Sequence, residues 1–166
     1  MVYKLRPMEV SFEFEDREYR LGDTIQVDVE LAPNAEVSVR EARVDLICEE
    51  RYVENYSVSS PGLYSNPGVG SPRAQISNQV VREEKETYVH STQVFLSDSK
   101  LSAGASVQYQ ARLDIQPTPP VHADDARELQ KDADRSWTFK WTLVMTVDVV
   151  RGRNPKRQRI VKVAVG

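Results

Sequence analysis

The stretch Leu21-Gly22-Asp23-Thr24-Ile25-Gln26-Val27-Asp28-Val29-Glu30-Leu31 decides how the chain is read. Ile25, Val27, Val29 and Leu31 fall on one side of an extended backbone, and Thr24, Gln26, Asp28 and Glu30 fall on the other. A strict period of two marks a half-buried β-strand, and Gly22-Asp23 just ahead of it is a turn signal.

The same alternation recurs in both directions. Met8, Val10, Phe12 and Phe14 alternate with Glu9, Ser11, Glu13 and Glu15. Ala32-Pro33-Asn34-Ala35 suits a type I turn. From about Val37 to Tyr52, Ala42, Val44, Leu46 and Cys48 share a face opposite Arg43, Asp45 and Glu49; Ile47 breaks the polar side and implies partial cover there. Thr87 to Leu96 reads as a strand with Tyr88, Thr92, Val94 and Leu96 inward. Val107, Tyr109, Ala111, Leu113 and Ile115 make a further apolar face, ended by Pro117, Pro119 and Pro120, which cannot donate to a ladder. Trp137, Phe139, Trp141, Leu143, Met145, Val147 and Val149 form the longest face, and Val161, Val163 and Val165 close the chain.

Between these strands the pattern lapses twice. Residues 54 to 85, with VSSPGLYSNPGVGSP inside them, are expected to form a mobile loop, the alternative being a short strand around Ala74 to Val81. Residues 117 to 135 are expected to form a second long loop, with about two turns of helix between Ala123 and Asp134. About seven strands, two long loops and no long amphipathic helix predict an all-β fold, an immunoglobulin-like antiparallel β-sandwich occupying 1 to 166 as a single domain. A closed barrel is the competing architecture.

The 166 residues suffice for a core without cross-links. Cys48, the only cysteine, excludes an intrachain disulfide and reads as a small core residue. The formal net charge of −3 gives no reason to expect nucleic acid or an anionic membrane as partner. No run is apolar enough for a signal peptide or a membrane span, so a cytoplasmic location is the expectation.

Three segments carry a family resemblance: Tyr19 to Val29; Leu101-Ser102-Ala103-Gly104 leading through Val107 to Ile115 into Pro117 to Pro120; and Trp137 to Val150 running into a final hairpin. In this order the chain resembles the N-terminal domain of arrestin-like proteins, a group that includes bacterial sporulation-control proteins. The resemblance implies an immunoglobulin-like sandwich that works by binding other proteins. Arrestins pair two such domains, and one fits here. Pro119-Pro120-Val121-His122 lacks the tyrosine of the Pro-Pro-x-Tyr motif, and no functional residue is transferred from the family.

The residues themselves supply no catalytic constellation. His90 and His122 are the only histidines; His90 lies in a predicted strand and His122 in the proline-rich loop. With Cys48 elsewhere they have no zinc-ligand spacing, so no metal, cofactor or enzymatic activity is expected. The distinctive surface feature is the last hairpin, where Arg151, Arg153, Lys156, Arg157 and Arg159 put five positive charges into nine residues. Such charges contact an acidic partner, or simply keep a sheet edge from pairing. No aromatic residue is interleaved with them, as single-stranded nucleic acid would require. The expectation is therefore a non-enzymatic protein-interaction or scaffold module with a protein partner, acidic where it meets this hairpin. The alternative is a small β-sandwich hydrolase or carbohydrate-binding module, for which exposed tryptophans would be the sign.

Overall fold

The computed structural model describes residues 6–60 and 76–165. Eight strands and one short helix follow each other along the chain: β1 (Met8–Phe14), β2 (Glu18–Arg20), β3 (Thr24–Pro33), β4 (Val37–Ser60), β5 (Ile76–Leu101), β6 (Val107–Asp114), α1 (Ala123–Glu128), β7 (Arg135–Val149) and β8 (Lys156–Ala164). They form two sheets, β1-β3-β6 and β2-β8-β7-β4-β5. The all-β sandwich expected from the alternation is what the chain builds.

β3 is the middle strand of the smaller sheet. Its register sets Val29 against Phe12 on β1 and against Tyr109 on β6, so three apolar rows meet on one inner face. Ile25, Val27, Val29 and Leu31 are all buried there. They face Val44, Leu46 and Cys48 of β4 and Trp141, Leu143, Met145, Val147 and Val149 of β7, also buried. Removing aliphatic and aromatic surface from water is the main term holding the sheets together. Cys48 sits in this core as its sequence context indicated, and burial pushes its thiol up to about 11.

Gly22 adopts φ +92° at the turn into β3, a conformation that costs little without a Cβ. The Asp23 carboxylate accepts the Arg20 amide at 2.9 Å, which holds Asp23 below the usual carboxylate range. The residues just before this turn form β2. Tyr19 is buried, and its hydroxyl donates to the Glu15 carbonyl at 2.7 Å. β2 pairs parallel with β8 and so adds one parallel contact to an otherwise antiparallel sandwich.

Two expectations need correction. The stretch 54–85 is not a loop throughout: β4 continues to Ser60 and β5 resumes at Ile76, paired residue for residue. Beyond Glu54 β4 has no further pairing with β7, and apart from the Asn55 amide, which donates to the Asp134 carbonyl at 2.7 Å, the two strands pair with each other among the described residues. A ribbon exposed on both faces has no buried side, so it leaves no period-two signal. Its neighbouring register is instead marked by charge pairs, including Arg51–Glu83 at 2.8 Å and Lys85–Glu49 at 3.7 Å. Residues 61–75, where the rest of that expected loop falls, lie outside the described residues.

The inward set on β5 is also different. Register shifts between Ala42 and Arg43 and between Leu46 and Ile47 add residues to β5. Such bulges reverse which side chains face the core. Tyr88 and Leu96 pack inward as expected, joined by His90 and Phe95. Val94 is 40% exposed. Thr92 turns outward and donates from its hydroxyl to Asp45. The second long loop, 117–135, holds a single turn-and-a-half of helix, α1, rather than two turns.

A basic groove at the edge of the sandwich

The chain crosses from one sheet to the other at Glu15–Arg17, between β1 and β2. β1 therefore runs beside the first half of β8, and two arginines bridge them. Arg157 Nε donates to the Val10 carbonyl at 3.3 Å, and Arg159 donates to the Phe12 carbonyl at 3.4 Å. The Arg159 guanidinium also lies 4.9 Å from the centre of the Phe14 ring. β1 is an edge strand with unpaired carbonyls on this side. The two side chains cover that edge, much as charged residues elsewhere blunt strand edges.

The loop between β7 and β8 is built by local chemistry. Gly152 has φ +100°, and an added Cβ there would come 3.7 Å from the Pro7 ring. The Asn154 side chain accepts the Val149 amide at 3.0 Å, and the Pro155 carbonyl accepts the Val147 amide at 3.0 Å. These bonds close the hairpin on itself, and Gly152 at its tip lies beside Pro7, which leads into β1. A cavity of about 340 Å³ opens between them, lined by Arg6, Glu9 and Val10 on one side and Arg153, Lys156 and Arg157 on the other.

All five hairpin cations thus gather at one edge, but they are not equivalent. All five are exposed, but Arg157 and Arg159 each give one N–H to a β1 carbonyl, whereas Arg151, Arg153 and Lys156 make no side-chain hydrogen bond to the described residues. Among the described residues, no carboxylate lies within 4 Å of any of the five, although Arg40, Arg43, Arg51 and Arg82 on the other strands all form ion pairs. Arg6 adds a further cation that sequence reading missed. It lies 147 positions from Arg153 in the chain, and only the fold brings the two to one groove.

The two histidines lie away from the hairpin, His90 midway along β5 and His122 just ahead of α1. His90 Nε2 accepts the Gln116 amide at 2.7 Å and meets the Trp141 ring edge-on at 4.8 Å; burial holds its imidazole below the ordinary value. His122 stacks on Trp137, ring centres 3.8 Å apart and 8° from parallel. Among the described residues, no group of three or more histidine, cysteine or acidic side chains is arranged to hold a metal ion, and no helix is long and apolar enough to cross a membrane.

No protein-family profile matches the chain, and no curated protein matches it in sequence. Similarity appears at the level of structure. The crystal structure of Spo0M, a sporulation control protein from Bacillus subtilis, superposes with a TM-score of 0.52 at 11% identity. The match covers 97% of this chain and 51% of Spo0M, so the chain spans about half the length of that protein. Strand order, two-sheet architecture and this superposition together show that the chain has the arrestin-like β-sandwich fold of Spo0M.

Proposed function

We propose that this chain is a non-enzymatic binding module whose basic groove, between β1 and the β7–β8 hairpin, takes an acidic segment of a partner protein. The observation that carries the reading is the uncompensated charge. Arg151, Arg153 and Lys156 are exposed, with no carboxylate of the described residues within 4 Å; Arg153, Lys156, Arg157 and Arg6 line the groove, and Glu9 is the one acid among the described residues lining it. Cations left unpaired on a rigid edge attract an opposite charge and speed its encounter. The name of Spo0M, a sporulation control protein, accords with a regulatory rather than catalytic role. A sugar-binding site on exposed tryptophans is disfavoured, because Trp141 is 2% exposed and the Trp137 face is covered by His122.

The test is comparative capture from the native cell. Wild-type protein and an Arg151→Ser/Arg153→Ser/Lys156→Ser variant serve as baits under gentle cross-linking. A partner held by the groove is retained by the wild type and lost from the variant. If the two baits retain the same proteins in the same amounts, the groove is not the binding surface.

A further inference from the structure

At the end of the sandwich opposite the hairpin, the larger sheet outruns the smaller one. β3 spans Thr24–Pro33, whereas β4 and β7 pair on as far as Glu54 and Arg135. The segment from Gln116 to Asp134 covers the overhang. Beneath it lies Glu50, which is 0% exposed. Its Oε1 accepts the His122 amide at 2.8 Å; among the described residues its Oε2 makes no hydrogen bond of good geometry, although the Tyr88 hydroxyl is near enough for Glu50 to add to burial in holding that phenol above its ordinary value. A buried carboxylate satisfied on one oxygen is costly, and it marks a place where the fold serves something other than stability.

The surroundings say what would satisfy it. Cross-strand partners face the same way, so Phe139 and Glu86, opposite Glu50 on β7 and β5, share its face. So do Tyr52, Trp137 and Glu84 one step farther on. This is an aromatic floor with Glu86 at its rim; the Glu84 carboxylate beyond it is already paired with Arg82 at 2.6 Å. His122 lies flat on Trp137, with Nε2 3.8 Å from the Glu86 carboxylate and Nδ1 3.0 Å from that of Asp125. The covering segment is lightly held. α1 has six residues and no side-chain cap, and a cavity of about 300 Å³ remains where it meets Phe139, lined also by Ala123, Ala126, Gln130, Val165 and Arg127, whose guanidinium is turned to Asp124 at 3.9 Å. A helix this short has no stability of its own.

We infer that the Gln116–Asp134 segment is a displaceable cover over a second binding site, and that the occupant is an arginine-bearing segment of a partner protein. A guanidinium lying on Trp137 where His122 now lies would gain a cation–π contact, and it would bring donors to Glu50 Oε2 and Glu86. His122 is the internal stand-in for that group. This inference is independent of the basic groove: β7 separates Trp137 from Val149 by roughly 40 Å at the usual rise per residue.

The probe is the peptide acetyl-hexa-arginine amide, titrated into the full chain and followed by NMR at the His122 amide and the Trp137 indole. Saturable shifts are expected at both, with binding at least ~10-fold weaker in Glu50→Gln and in Glu86→Gln, since each removes a charge-assisted hydrogen bond. His122→Ala removes the competitor and should bind ~5-fold or more tightly. Amide exchange supplies a readout without ligand: Ala126 and Leu129 should exchange at least ~100-fold faster than Leu143 on β7, as a locally opening segment does. No shift at Trp137, equal affinity in wild type and Glu86→Gln (an exposed position that tolerates the change), or exchange at Ala126 as slow as at Leu143 would each overturn the inference.

Discussion

Arg157 on β8 donates to the backbone carbonyl of Val10 on β1, so the charge cluster of the last hairpin is partly a device for closing the sandwich. Arg159 repeats the contact two residues on, at Phe12. The five exposed cations therefore divide into a pair bonded to β1 and a set of three that is not, and the two groups should respond differently to mutation.

Arg159→Ser should lower stability by about 1 kcal/mol, the scale of one hydrogen bond and a partly exposed ring contact. Arg153→Ser should change it by less than about 0.5 kcal/mol, as exposed substitutions do. Denaturant unfolding of both variants checks this, and equal midpoints would show that the bridge to β1 contributes nothing.

The core should be sensitive along β7. Leu143 and Met145 are fully buried between β4 and β8. Leu143→Ala or Met145→Ala should cost ~2–5 kcal/mol, combining lost transfer energy with a cavity. Ile160 on the opposite face is 65% exposed, so Ile160→Ala should stay within ~0.5 kcal/mol. Thermal or chemical unfolding of the three variants gives the comparison.

His90 should make folding depend on mild acid. Burial lowers its imidazole, and its Nε2 accepts the Gln116 amide, which requires the neutral ring. The unfolded chain then binds the proton more readily than the folded one. The contribution is complete above the unfolded value of about 6.5 and is lost as pH falls through it toward the lower folded value. Between pH 7.5 and 5 the wild type should lose stability more steeply than His90→Gln, whose side-chain oxygen still accepts the amide. Identical slopes would remove His90 from the account.

Wherever one face of a strand is buried, the fold could be read directly from the residues. β1, β3 and β7 show this best, because Phe12, Val27 and Val147 alternate with polar neighbours. The outer half of the β4–β5 ribbon could not be read, because Asn55 and Val81 have water on both sides and no period results. The bulge near Ile47 was equally silent, since one inserted residue reverses the inward set without changing composition. The hairpin cations stood out as a local cluster. Arg6 and the Val10 carbonyl did not, because their place at the groove depends on strand pairing across the whole chain. Glu50 looked like one more acidic residue next to Glu49, and only its burial distinguishes the two.

The central claim is that the exposed cations of the hairpin recruit an acidic partner. Once that partner is captured, its association rate with wild type and with Arg151→Ser/Arg153→Ser/Lys156→Ser should be measured by stopped flow from low salt to past about 0.15 M, where screening acts within about 8 Å. The expected result is fast wild-type association that slows as salt rises, with the triple variant already slow at low salt and nearly indifferent to it, while dissociation changes little. A triple variant that associates at the wild-type rate in low salt would contradict the claim and leave the hairpin as a solvated turn.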